Sequence, residues 1–281
     1  MNSDVDSNNA AVYYYDSDYP SPDLSLYPEN FDEVTEYQGL AFDVPRYKEL
    51  ATAVGGPILE LCCGTGRVAI PLAMEGFDVC AVDISRGMLD QFGRNLQKQV
   101  EATRSRITLV QQDITSLVLE RRDFQLAIIA FNSLLCITDF EAQCRAFQAV
   151  ATHLAPTGML VIDLVNALNL KIHGDANPKP FFTRRNTHNG NQYTRFAMMD
   201  PFDEDHRQRL HGWYDEMDAD GTVRRRHYSM HWRPIFRFEI DLMLRQASLQ
   251  ICKIEGGHLK EPYTAQSPRM FIQARKATAS L

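Results

Sequence analysis

The sequence predicts an α/β protein in three layers. Helices cover both faces of a seven-stranded, mostly parallel sheet whose last strand runs antiparallel, and an antiparallel β insertion follows near the C-terminus. Three observations predict it. A glycine-rich turn, Cys62-Cys63-Gly64-Thr65-Gly66, joins an apolar strand to a helix, strand-like and helix-like segments alternate from there to Val165, and β-prone stretches follow one another after Asn166. The chain then divides into a tail and aromatic lid (1–43), a core (44–165), a β flap (166–233) and a C-terminal helix with the closing strands (234–281).

Met1 to Ala10 has the Asn/Ser/Asp composition of a loose tail. The aromatic stretch that follows, Tyr13 to Phe42, is broken by Pro20, Pro22 and Pro28, each restricting its own φ and the residue before it, so it is not one long helix. Its rings either close over a site or anchor the segment to the core. Val44 to Val54 reads as a helix leading into the strand Pro57 to Cys62. After the turn, Val68, Ile70, Leu72 and Ala73 have the spacing of a helix packed on a sheet. Phe77 to Val82 is a second strand ending at Asp83, with a helix from Ser85, and Arg106 to Gln111 is a third. Phe124 to Phe131 is a near-continuous apolar run, the mark of a strand buried on both faces of a parallel sheet.

Asp139 starts a helix to about Leu154, Pro156-Thr157-Gly158 makes a turn, and Met159 to Val165 is a fifth strand. Lys171 to Pro180 is loop-like. The flap strands are Phe181 to Asn186, Tyr193 to Met199, Arg207 to Met217 and Val223 to Trp232, the last two joined by the hairpin turn Asp218-Ala219-Asp220-Gly221. In the last, Tyr228, Met230 and Trp232 share one face and His227, Ser229 and His231 the other, and either face can look at the core. Phe236 to Gln246 reads as a helix with Phe238, Leu242 and Leu249 directed at the core. The link from Gly256 to Arg269 is too short for a crossover helix, so the closing strands Leu249 to Ile254 and Met270 to Ala274 are expected to pair antiparallel.

Glycines at a strand-to-helix turn let backbone approach a ligand, and the first amides of the helix beyond need partners, which outlines a nucleotide-type cofactor site. Gly64-x-Gly66-x-x-Ala69 also fits the dinucleotide pattern, and Asp83 lies about 20 residues on, where it can accept from both ribose hydroxyls. At Glu60-Leu61-Cys62-Cys63-Gly64-Thr65-Gly66 the chain resembles class I S-adenosylmethionine-dependent methyltransferases of the small-molecule type. Their first motif runs acidic, any, Gly, any, Gly, any, Gly, and Cys62 stands at its first glycine. The resemblance implies a Rossmann-like fold, S-adenosylmethionine as cofactor, and methyl transfer to a nitrogen or oxygen of a small-molecule acceptor.

It also implies roles. Glu60 and Asp83 fix the cofactor, Cys62, Gly64 and Gly66 border its path, and Arg67 reaches the methionine carboxylate. Asp113 takes the adenine amino group, with Ile84, Met88, Ile114 and Phe131 as apolar neighbours. Phe131-Asn132-Ser133-Leu134 lacks the Asp/Asn-Pro-Pro-Tyr/Phe of enzymes that methylate nucleic-acid bases or protein glutamine, which argues against those substrates. Asn132 either lines the acceptor pocket or satisfies backbone at the strand end. Tyr27 and Trp232 are candidate acceptor contacts. If the histidine face looks inward, His231 or His227 can take a proton from the acceptor, an imidazole pKa of about 6.5 suiting that work.

The chain has 281 residues, 44% of them hydrophobic, enough for one sizeable core. Its formal charge of −7 removes the general attraction on which nucleic-acid binding rests. Cysteines at 62, 63, 80, 136, 144 and 252 form no Cys-x-x-Cys, so neither zinc nor any other metal site is expected, and a reduced, cytoplasmic protein is. Met1 to Ala11 lacks the features of a signal peptide, and no apolar run approaches the roughly 20 residues of a membrane span. A monomer or homodimer is expected. The alternative function is an NAD(P)-dependent oxidoreductase with a Rossmann fold, favoured by the glycine spacing and Asp83 and disfavoured by Asp113 and the reversed last strand. A cofactor fold kept only for binding a partner is the third reading.

Overall fold

The computed structural model describes residues 10–277. The polar tail lies outside them except for Ala10, which opens the first helix, α1 (Ala10–Asp18). That helix ends ahead of Pro20. After the short α2 (Glu33–Tyr37), capped by the Asp32 side chain, α3 (Asp43–Val54) leads into β1 (Ile58–Leu61). The alternation expected from the sequence follows: α4 (Ala69–Met74), β2 (Val79–Asp83), α5 (Arg86–Gln97), α6 (Glu101–Arg104), β3 (Ile107–Gln111), β4 (Phe124–Ile129), α7 (Phe140–His153) and β5 (Leu154–Val165). Ser85 caps α5 and Asp139 caps α7, each accepting a hydrogen bond from a first-turn amide.

The flap is β6 (Asp175–Arg185), β7 (Gln192–Met199), β8 (Gln208–Met217) and β9 (Val223–Trp232), a separate antiparallel sheet in that order. The chain then returns through α8 (Arg237–Gln246), β10 (Leu249–Glu255) and β11 (Arg269–Lys276). The large sheet runs β10-β11-β5-β4-β1-β2-β3, and β11 alone is antiparallel to its neighbours.

Each face of this sheet has its own core. On one, Phe147 and Val150 of α7 and Ile240, Met243 and Leu244 of α8 pack on β4 and β5. On the other, Tyr47 of α3, Ile70 and Leu72 of α4 and Phe92 of α5 pack on β1 and β2. A third, smaller core lies apart: Tyr14 of α1 sits among Phe182, Tyr193, Tyr214 and Tyr228 on the inner face of the flap.

Three local expectations are corrected. Pro156-Thr157-Gly158 is not a turn between elements but lies inside β5, whose pairing with β4 jumps there from Phe124↔Leu154 to Leu126↔Met159. The stretch expected as loop before Phe181 belongs in part to β6, which accommodates Pro178 and Pro180 because it is an edge strand with interrupted pairing. On α8, Phe238 and Leu242 are 79% and 68% exposed, because the buried stripe is Ile240, Met243 and Leu244 at i, i+3 and i+4.

Candidate cofactor and acceptor site

The glycine turn leaves β1 through Cys62, which adopts φ +56°, the same left-handed region as Gly64 (+56°) and Gly66 (+88°). A non-glycine residue pays roughly 1–2 kcal/mol there, so the cysteine takes on the conformation of the glycine it replaces. At Gly66 a Cβ would lie 2.6 Å from the Phe92 ring, and its absence lets α5 pack against the turn. The Gly64 amide donates to Asp83 Oδ2 at 2.9 Å, and the Ser85 amide to Asp83 Oδ1 at 2.8 Å. Asp83 thus ties the turn to the start of α5. Burial raises its pKa, and the amides of Ser85, Gly64 and Ile84 oppose that rise.

Glu60 is 2% exposed. Its carboxyl accepts the Ala69 amide, while Oε2 has no hydrogen-bond partner among the described residues. Burial pushes it up to about 8. A buried carboxyl oxygen without a donor is costly unless a ligand supplies one.

The ends of three strands and the turn after β4 converge on Cys62. The Cys62 thiol is raised well above its usual range by burial first, then by Asp83, Cys136, Asp113 and Glu60, which places those groups around it. Asp113 is half-buried at the end of β3, held by the Thr115 amide at 2.8 Å. Cys136, in the turn Ser133–Cys136, meets Trp232 at the end of β9. Ile84 is exposed and Met88 half-buried beside Asp83, whereas Ile114 is buried in the core on the α7 and α8 face.

The aromatic segment does both things open to it. Tyr14 anchors, its hydroxyl donating to Glu216 Oε2 at 2.5 Å. Tyr15 covers, its hydroxyl 3.5 Å from where a Gly64 Cβ would lie, and Tyr19 meets the Phe131 ring edge-on at 5.0 Å. Buried Asp18 fixes α1 to the flap, accepting from Tyr193 Oη (2.7 Å), Tyr214 Oη (2.6 Å) and Arg195 (3.0 Å).

Four expected site residues stand elsewhere or are already engaged. Arg67 is buried, and both its terminal nitrogens donate to Asp43, at 3.0 and 2.5 Å, so it is not a free cation for the methionine carboxylate. Asn132 takes the strand-end role: Oδ1 accepts from the Val165 amide (2.6 Å) and Arg269 (3.1 Å). Tyr27 lies at the β6–β7 turn, its hydroxyl 3.2 Å from where a Gly190 Cβ would be. His231 is exposed on the outer face of the flap, because the pleat that turns Tyr228 and Trp232 toward the core turns alternate residues away.

Sequence reasoning missed Asp163. Fully buried at the end of β5, it accepts from Tyr47 Oη (3.2 Å), Arg269 Nε (2.5 Å) and the Phe131 amide (3.4 Å), and contacts His258 Nε2 (3.1 Å). Burial alone would raise it, but Arg269 and then His258 hold it below the usual carboxylate range. This cluster fixes Phe131 (φ +47°) and Asn132 (φ +66°) in left-handed conformations beside the cleft. No local motif announces it, since its members come from α3, β4, β5 and the chain around β11.

The comparisons agree with this geometry. The methyltransferase domain family matches residues 58–158. A putative methyltransferase, YqeM, of Bacillus subtilis (strain 168) is 25% identical over 83% of this chain and 89% of its own. The cypemycin N-terminal methyltransferase of a Streptomyces species is 27% identical over 78% and 82%. Among solved structures, the CcbJ methyltransferase of Streptomyces caelestis superposes with a TM-score of 0.71 at 22% identity, covering 84% of this chain and 90% of that one. An S-adenosylmethionine-dependent methyltransferase of Clostridium acetobutylicum ATCC 824 gives 0.69 at 19% identity over 84% and 91%. The sugar N-methyltransferase KedS8 of Streptoalloteichus sp ATCC 53650 gives 0.66 at 19% identity over 85% and 88%. These likenesses, with the 3-2-1-4-5 core order and the reversed β11, set aside the nicotinamide alternative. Residues 58–158 therefore form a methyltransferase domain, and the fold is that of the S-adenosylmethionine-dependent methyltransferases.

Proposed function

We propose that the enzyme transfers the methyl group to a nitrogen of a small molecule, with oxygen acceptors as the second possibility. The observation that carries this reading is the orientation of the flap: it turns Trp232 inward, against Cys136, and His231 outward, so that histidine of β9 does not face the acceptor side. An alcohol needs a base in reach, whereas an amine needs only to arrive with its lone pair free. The neighbours named as an N-terminal methyltransferase and as a sugar N-methyltransferase support the same choice.

The residues fit the cofactor. The unpartnered Oε2 of Glu60 suits the ammonium of the methionine tail, Asp83 the ribose and Asp113 the adenine amino group, with Cys62, Gly64 and Gly66 leaving the backbone approachable. Ile84, Met88 and Phe131 would border the adenosyl group. When bound, the cofactor supplies a methyl already made electrophilic by its sulfonium. The chain then has to position and to exclude water. Tyr15 and Tyr19 close the turn from above, and the Asp163 cluster holds Phe131 at the β4 end. Trp232, against Cys136, would contact the acceptor. The six cysteines, all free thiols, support a reducing, cytoplasmic setting.

The test is a panel of matched amino and hydroxy sugars and short peptides with free or blocked N-termini, incubated with S-adenosylmethionine and read by mass spectrometry. Gain of one methyl on the amine of a pair supports the reading, and methylation of the hydroxy member alone overturns it. Asp83→Ala should sharply weaken S-adenosylhomocysteine binding by calorimetry in the folded protein, and unchanged affinity counts against the ribose placement.

A further inference from the structure

Beside the glycine turn, the strap 19–26, Thr65 and the outer face of α5 line a crevice of about 90 Å³. That is room for roughly three waters or one small oxyanion. We propose that it binds a small oxyanion, a carboxylate or phosphate free in solution, separate from the cofactor.

The wall is built for an acceptor-rich guest. Ser21 and Thr65 line it at 2% and 1% exposure, and neither hydroxyl has a hydrogen-bond partner among the described residues. Two buried hydroxyls left unpaired are expensive unless something in the crevice pairs them. Lys98 stands at the rim, donates only to the Asn95 amide oxygen at 3.3 Å, and has no carboxylate partner among the described residues. The one carboxylate on the wall, Asp16, is already engaged, its Oδ2 accepting from Gln91 and Asn95 at 2.9 Å each. Arg67, also on the wall, spends its charge on Asp43. Donors without acceptors therefore remain, and an anion with two or three oxygens satisfies them. A guest bridging Ser21 and Thr65 would join the strap to the turn that carries Gly64 and Gly66.

The experiment titrates inorganic phosphate, and separately acetate, into the full chain at constant ionic strength held with sodium chloride, following the thermal midpoint. A saturable rise with either anion and none with chloride is expected. Lys98→Glu, a surface change that leaves the fold alone, should weaken the apparent affinity about tenfold by reversing the rim charge. Ser21→Ala should weaken it less, and a crystal grown in phosphate should show the ion between Ser21, Thr65 and Lys98. Four outcomes overturn the proposal: the same rise with chloride, unchanged affinity in both variants, ordered waters or an adventitious ion only in the crystal, or strict competition with S-adenosylhomocysteine. The last would make the crevice part of the cofactor site. The binding measurement needs no cofactor, so failure of the methyl-transfer reading and failure of this one are told apart.

Discussion

Replacing Glu60 by glutamine keeps the shape, exchanges one acceptor oxygen for an NH2 donor and deletes a titration. In the folded protein without cofactor, burial pushes this carboxyl up to about 8 from an ordinary 4.5, so the raised value favours folding only while the group is neutral. The stability it contributes is fully present below the unfolded pKa and is lost as pH rises through the folded one, at about 1.4 kcal/mol per pH unit. Between about pH 5 and pH 7 the wild type should therefore lose roughly 3 kcal/mol relative to Glu60→Gln. Urea denaturation of both proteins across that range reads the difference, and a gap independent of pH refutes the assignment. With the methionine ammonium beside it, Glu60 ionises. Cofactor binding near neutrality should then release a proton, and affinity should fall as the solution becomes more acidic. Calorimetry in buffers of different ionisation enthalpy measures that proton. Its persistence in the glutamine variant would place it on another group.

Three further outcomes follow from the contacts. Arg67→Met leaves Asp43 buried without its partner and should cost about 3–5 kcal/mol, most of it recovered when Asp43→Leu is added; additive losses in denaturation would refute the pairing as the cause. His231→Ala should leave kcat and its pH profile unchanged, because the imidazole sits on the outer face, and a loss of an alkaline or neutral limb would return it to the chemistry. Cys62→Gly relieves a left-handed φ and should keep cofactor affinity with stability changed by less than about 1 kcal/mol; abolished binding would show that the thiol itself is needed.

Much of the site was legible in the chain because it depends on the ends of consecutive strands. Glu60, Asp83 and Asp113 lie where β1, β2 and β3 stop, and periodic apolar runs mark those stops. Cys62 was readable as a glycine equivalent from its place in the motif, though its φ was not. The roles of Arg67, Asn132 and His231 stayed open in the chain for a shared reason: the role of a polar side chain depends on which partner the fold brings to it. Asp43 reaches Arg67 from α3, Val165 and Arg269 reach Asn132 from β5 and β11, and the flap turns its histidines outward once Tyr14 fills the other face. Phe238 and Leu242 show the same limit in apolar terms, since α8 carries more hydrophobic residues than its one buried stripe can take.

By itself the sequence determined the alternation of strands and helices, the glycine turn and the reversal of the last strand. Each of these follows from periodicity, from backbone freedom or from the length of a connection, all of which are local. Only the tertiary structure decided how α1 divides its tyrosines between flap and cofactor cleft, how Asp163 gathers Tyr47, His258 and Arg269, and where the crevice beside Thr65 opens. Those arrangements join residues far apart in the chain, and burial and charge pairing set them once the layers have packed.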